Sequence, residues 1–241
     1  MKNRIAFLWL ILLVFALFQV VGQENNLRAT MDIVRITDFE ITGEGSAPEW
    51  NAAVWEKIPQ RSNDKVGYQT HAKVVWSETG IYFLVRCHDR KITATMQANN
   101  LNLWEEDVVE VFLMPDEKYP LYFEYQLSPL NYELTLLIPN LDGNFLGWLP
   151  WKYDGERKTR HMTSIQAEKY GEAEVVTGWT AEFFIPWKLM EPLIKTAPLP
   201  GAQWRANIYR LDYDEGPTRF SWNPTIRNFH EPHNFGTFIF K

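Results

Sequence analysis

From residue 73 to residue 240 the chain is cut into short runs rich in β-branched and aromatic residues, each ended by residues that turn the backbone. Residues 73–76, the turn Ser77-Glu78-Thr79-Gly80 and residues 81–88 read as a hairpin. Residues 108–114 form a strand stopped by Pro115-Asp116, and residues 121–128 and 133–138 flank a turn around Pro129-Leu130-Asn131. Residues 179–185 end at Pro186, and residues 204–213, 219–222 and 235–240 complete the set. The helical piece expected is short, near residues 186–193. Many short strands and little helix predict an all-β fold: a two-sheet antiparallel β-sandwich, jelly-roll-like, with at most short helices.

Alternation sorts the side chains, because neighbours on a strand point to opposite faces. In residues 107–114, Val109, Val111 and Leu113 make one apolar face, while Glu110 lies between Val108 and Phe112 on the other. Residues 121–128 divide in the same way, with Phe123, Tyr125 and Leu127 opposite Tyr122, Glu124, Gln126 and Ser128. One side feeds a core. The other gathers acids, an amide and aromatic rings, the mixture a shallow sugar site requires. Pyranose C–H faces stack on rings while their hydroxyl rims take hydrogen bonds. Aromatic residues make up 15% of the chain and include 11 tryptophans, enough to supply such platforms beyond a core.

The first 22 residues stand apart. Lys2 and Arg4, the apolar run 5–21, and Gly22 ahead of Gln23-Glu24-Asn25-Asn26 follow the order of a secretory signal. The competing reading is a retained anchor, since those 17 apolar residues approach the shortest span of a bilayer. Cleavage after Gly22 is expected, leaving residues 23–241 as a single domain that is periplasmic or secreted and not inserted in a membrane. Losing Lys2 and Arg4 takes the net charge from −6 to −8. With no block of basic residues, that balance argues against nucleic acid or an anionic membrane as partner. Cys87, the single cysteine, lies in an apolar strand and reads as a core residue.

Metal chemistry has little support. His230-Glu231-Pro232-His233 has two residues between its histidines and a proline, whereas a zinc-protease motif needs three on a helix. Asp212-Tyr213-Asp214-Glu215-Gly216 is an acidic turn without EF-hand spacing, and its first reading is solvated charge. A haem site would need an axial Met/His pair, and Met96 with His161 or His230 gives no recognisable spacing. No catalytic metal and no cofactor are expected.

The segment Trp104-Glu105-Glu106-Asp107-Val108-Val109-Glu110-Val111-Phe112 resembles the signature of family 9 carbohydrate-binding modules. Other stretches resemble that family in the same order: Trp50 to Trp55, Val74-Val75-Trp76 with Ile81 to Leu84, GWTAEFFIP at 178–186, Ala206 to Arg210, and Phe229 to Gly236. The resemblance runs over roughly residues 45–241. It implies a β-sandwich that grips the end of a short sugar between two rings, with Trp104 at one position and Phe229 where a second ring, usually tryptophan, is expected. It also implies that Glu110 hydrogen-bonds sugar hydroxyls, and it is compatible with a structural calcium. This chain departs from the pattern at Glu124, where a better-known member has a basic residue, at Tyr209, where an amide would stand, and at Arg227-Asn228.

Each site residue has a structural competitor. Trp104 neighbours Leu101 and Leu103, Phe229 can cluster with Phe235 and Phe238, and Glu110 and Glu124 can pair with arginines such as Arg86 or Arg210. On neighbouring strands the two glutamates are expected to face each other at about 5 Å and to repel unless something lies between them. The functional expectation is non-catalytic carbohydrate binding through Trp104, Glu110, Glu124, Tyr209 and Phe229, serving polysaccharide use beside separate glycoside hydrolases. The alternative is a small glycoside hydrolase using Glu110 and Glu124, which would need a carboxyl separation of about 5–9.5 Å and one raised pKa.

Overall fold

A computed structural model describes residues 28–61 and 66–241; the expected signal segment, 1–22, lies outside the described residues. The strands run in chain order as β1 (Thr30–Arg35), β2 (Glu56–Lys57), β3 (Thr70–Trp76), β4 (Gly80–His88), β5 (Val108–Met114), β6 (Leu121–Leu127) and β7 (Glu133–Leu141). They continue as β8 (Asn144–Phe145), β9 (Leu149–Pro150), β10 (Arg160–Tyr170), β11 (Ala173–Pro186), β12 (Gln203–Asp212), β13 (Thr218–Ser221) and β14 (Gly236–Phe240). Helical structure among the described residues is confined to 3-10 turns, including Trp187–Met190 within the stretch expected to be helical.

One sheet is ordered β14-β12-β5-β6-β7, with β13 on β12 and β8 and β9 on β7; the other is β10-β11-β4-β3, with β2 on β3. β1 joins them. It pairs parallel with β14 from Thr30 to Ile33, then parallel with β3 at Val34 and Arg35. The two sheets of the expected sandwich are therefore linked by one sheet-switching strand, and the architecture is mixed rather than purely antiparallel. The hairpin between β3 and β4 is closed by Ser77, whose hydroxyl accepts from the backbone N–H groups of Thr79 and Gly80. Gly80 allows a close approach, since a Cβ there would lie 2.4 Å from the Ile185 carbonyl oxygen.

The sheets pack face to face. Val109, Val111, Leu113, Phe123, Tyr125 and Leu127 share one buried cluster with Phe83, Val85, Trp179 and Phe183 of the opposite sheet. Tyr125 stacks on Phe183 with ring centroids 4.7 Å apart. Each such side chain removed from water contributes about 1.5–3 kcal/mol, so this face fixes the parity of β5 and β6. Their other face must then point away from the sandwich core. It packs into a second cluster, around Leu103, Phe112, Tyr122, Leu136 and Phe235, with Trp104 and Phe229 at its margin. That face is roofed by loops, which converts the expected shallow surface into a lined cavity.

Candidate functional site

β5 and β6 supply the floor of that cavity. Their register sets Glu110 opposite Gln126 and Phe112 opposite Glu124. The two glutamates are thus diagonal neighbours rather than directly facing, as had been expected, because the β5–β6 connection shifts the pairing by one step of the ladder. Both carboxyls are almost completely buried, as is Gln126. Gln126 Nε2 donates to Glu124 Oε1 at 2.5 Å, leaving Glu124 Oε2 and Gln126 Oε1 buried without a hydrogen-bond partner. No donor among the described residues hydrogen-bonds the Glu110 carboxyl. Burial, and then the nearby Glu124 charge, hold Glu110 well above the usual carboxylate range; burial also raises Glu124.

Trp104 enters from the 3-10 turn Leu103–Glu105, which is pinned on both sides. Leu103 is buried beneath it, and the Tyr213 hydroxyl donates to the Trp104 carbonyl at 2.6 Å. Glu106 accepts from the backbone of Thr95 (2.6 Å) and Met96 (3.0 Å), and Asp107 from that of Thr93 (2.6 Å) and Tyr213 (2.8 Å). The indole itself is only partly buried and lines the cavity.

The opposite wall comes from the loop 226–234, built around buried Glu231. Its carboxylate accepts from the N–H groups of Ile226 (2.7 Å) and Arg227 (2.8 Å) and from Asn234 Nδ2 (2.9 Å). These bonds outweigh its burial and lower its pKa to about 2. The loop presents Phe229 and His230. Tyr209, expected to touch ligand, is wholly buried and does not line the cavity. It backs Phe229 instead: the rings stack at 4.0 Å and 15°, and the Tyr209 hydroxyl donates to the Phe229 carbonyl at 2.9 Å. The loop 226–234 lies over it.

A third wall was not foreseen. Asp142 (φ 52°) and Gly143 (φ 81°) form a two-residue turn of left-handed residues between β7 and β8, and this hairpin presents Phe145 and Trp148. Phe145 stacks on His230 at 4.3 Å, and Trp148 meets Trp104 edge-on at 5.4 Å. His230 also stacks with Phe112 and shares a 2.7 Å hydrogen bond with the Tyr122 hydroxyl; burial lowers its pKa to about 4, so it is neutral near pH 7. The Asp-Gly pair followed by exposed aromatics was the sequence signal for this wall.

The result is a cavity of about 310 Å3 that brings together Trp104, Glu110, Glu124 and Phe229, all expected from sequence, with Phe145 and Trp148 in addition. A volume of this size suits a sugar ring or two, with flat apolar walls and a polar, acceptor-rich floor. The acidic turn near Asp212 is elsewhere. Asp89, Asp212 and Asp214 bring carboxylate oxygens within 4.8 Å of one another, but Arg210 already ion-pairs with Asp89 (2.9 Å) and Asp212, and the Tyr68 hydroxyl donates to Asp214 at 2.7 Å. A calcium ion there would have to displace a buried guanidinium, so these residues suit an ion pair better than a metal.

Residues 41–241 match the family model described as carbohydrate family 9 binding domain-like. No curated protein sequence matches significantly. Among solved structures, a Bacteroides uniformis protein for which carbohydrate binding has been proposed superposes with a TM-score of 0.72 at 17% identity, covering 89% of this chain and 100% of its own. A family 9 carbohydrate-binding module from Caldicellulosiruptor kristjanssonii in complex with cellotriose gives 0.59 at 16% identity, over 88% of this chain and 94% of that one. Its complex with glucose gives 0.58 at 16%, over 89% and 95%. At these identities the likeness is one of fold.

Proposed function

Because the chain belongs to the carbohydrate family 9 binding domain-like family, we propose that it binds carbohydrate in the cavity between Trp104, Phe229 and the Phe145–Trp148 hairpin, without catalysing a reaction. The observation that carries this reading is the pairing of partly exposed aromatic side chains with buried, unpartnered acceptors at one place. A sugar satisfies both at once, stacking its C–H face while its hydroxyls donate to Glu124 Oε2 and Gln126 Oε1. The ligands of the Caldicellulosiruptor module, cellotriose and glucose, support the substrate class.

In this reading the domain is exported, periplasmic or secreted, and holds mono- or oligosaccharides near separate glycoside hydrolases. The hydrolase alternative is disfavoured by the floor itself. Two-carboxylate chemistry needs one acid protonated and the other ionised in its own polar setting, whereas burial raises both Glu110 and Glu124. Calorimetric titration with soluble oligosaccharides, run beside an assay for released reducing ends, tests the proposal. Saturable binding without turnover supports it. Turnover abolished by Glu110→Gln or Glu124→Gln would replace it with the enzyme, and no binding by any sugar would remove it.

A further inference from the structure

The charge balance of the floor is unusual for a site that takes only neutral sugars. Two buried carboxyls share it, yet no lysine or arginine of the described residues ion-pairs with either. Arg227, at the rim, is bound to Glu231 at 3.2 Å. The nearest His230 nitrogen is 4.0 Å from Glu124, beyond hydrogen-bond reach, and that ring is neutral. Leaving two acids together in a low-dielectric site is costly unless a proton or a cation intervenes. Arg219 and Arg227 line the same cavity, but among the described residues neither is ion-paired with these two carboxyls.

We propose that the ligand brings the cation: the site takes an amino sugar with a free, protonated amine, seated between Glu110, Glu124 and Gln126. The geometry of acceptors supports this, and the inference rests on the carbohydrate reading above. An ammonium group has three N–H donors and no acceptor. The floor offers Glu124 Oε2 and Gln126 Oε1, buried without a partner, and beside them the Glu110 carboxyl, which accepts from no donor among the described residues. Glu110 and Gln126 stand directly opposite on β5 and β6, and Glu124 is the next residue on the same face. A sugar hydroxyl in the same place donates one hydrogen bond, where an ammonium group donates up to three and brings a positive charge to the acids. The walls agree, because Trp104, Trp148, Phe145 and Phe229 line the cavity, and aromatic side chains attract cations. An N-acetylated amine loses both the charge and two of its three donors, so it is expected to be rejected.

The test uses the mature chain, titrated calorimetrically at pH 6.5 with a β-1,4-linked glucosamine trimer, its N-acetylated counterpart and cellotriose. The expected result is that the free amine binds at least tenfold more tightly than either neutral trimer. Glu110→Gln and Glu124→Gln, checked for native thermal unfolding, are each expected to collapse that ratio toward one. Cellotriose binding as tightly as the amine, or an amine preference that survives in both variants, would overturn the proposal while leaving carbohydrate binding intact. Failure of all three sugars to bind would overturn the carbohydrate reading and this inference with it.

Discussion

Two groups of buried acids flank β5 and β12, and they are treated in opposite ways. At Asp89 and Asp212 the chain provides Arg210, which also donates to the His88 carbonyl at 2.8 Å and to Thr70 Oγ1 at 3.2 Å and lies over the Phe220 ring. All three charged side chains are fully buried. At Glu110 and Glu124 the chain provides one amide and a cavity. The first arrangement pairs its charges within the chain, although Arg210 Nε is left without a hydrogen-bond partner. The second leaves its polar requirement open, which a stable fold tolerates only where a ligand completes it. Compensation, rather than burial or acidity, separates the structural cluster from the functional one.

The largest way to break this contrast is to remove the compensating charge. Arg210→Met is expected to destabilise the domain by about 3–5 kcal/mol in urea denaturation, because Asp89 and Asp212 would be left buried without a partner. A loss below about 1 kcal/mol would mean the two clusters are not different in kind. Next in size is the wall of the open cluster. Trp104→Ala should weaken sugar binding by about 2–3 kcal/mol, the scale of a packed aromatic anchor, while unfolding at a similar denaturant concentration because the indole is only partly buried. Affinity unchanged in calorimetry would remove Trp104 from the site.

A smaller effect lies in pH. Glu110 and Glu124 both titrate above their unfolded values, so the native state holds protons that the unfolded chain releases more readily. Their contribution to stability is complete below about pH 4.5 and is lost as pH rises through the raised values. The wild type should therefore lose stability between pH 5 and pH 8 relative to the Glu110→Gln, Glu124→Gln double variant, compared by chemical denaturation. A difference of opposite sign would contradict the buried pair. The smallest expected effect concerns metal. With Arg210 in place, millimolar Ca2+ or a chelator should move the unfolding midpoint by less than about 1 °C, and a rise of several degrees would show that the Asp212 turn takes an ion after all.

Much of this contrast was readable from the chain alone, for identifiable reasons. The parity of β5 and β6 follows from strict alternation, which places Glu110, Glu124 and Gln126 on the face away from the sandwich core. What alternation does not contain is register. Whether Glu110 faces Glu124 or Gln126 is set by the β5–β6 connection, so the pair proved diagonal. Tyr209 lies beneath Phe229 rather than on the cavity wall, because the loop held by Glu231 is a tertiary feature that covers it. Phe145 belongs to a strand of two residues and Trp148 to the irregular stretch before the next, both too short for any period, although Asp142-Gly143 marks the turn ahead of them. β10 escaped notice since it is an edge strand, polar and largely exposed. β1 alternates along its length, but its parallel pairing with both β14 and β3 depends on segments far away in sequence.

The central claim is that the open acid pair is maintained for a ligand at the expense of stability, a trade seen where binding sites keep unsatisfied polar groups. Glu124→Gln tests it most directly, measured for unfolding free energy and for sugar affinity on the same preparation. The account predicts stability equal to or above that of the wild type together with at least a tenfold loss of affinity. Lower stability with affinity unchanged would contradict it, since Glu124 would then be part of the scaffold and the cavity floor would not be where the sugar is read.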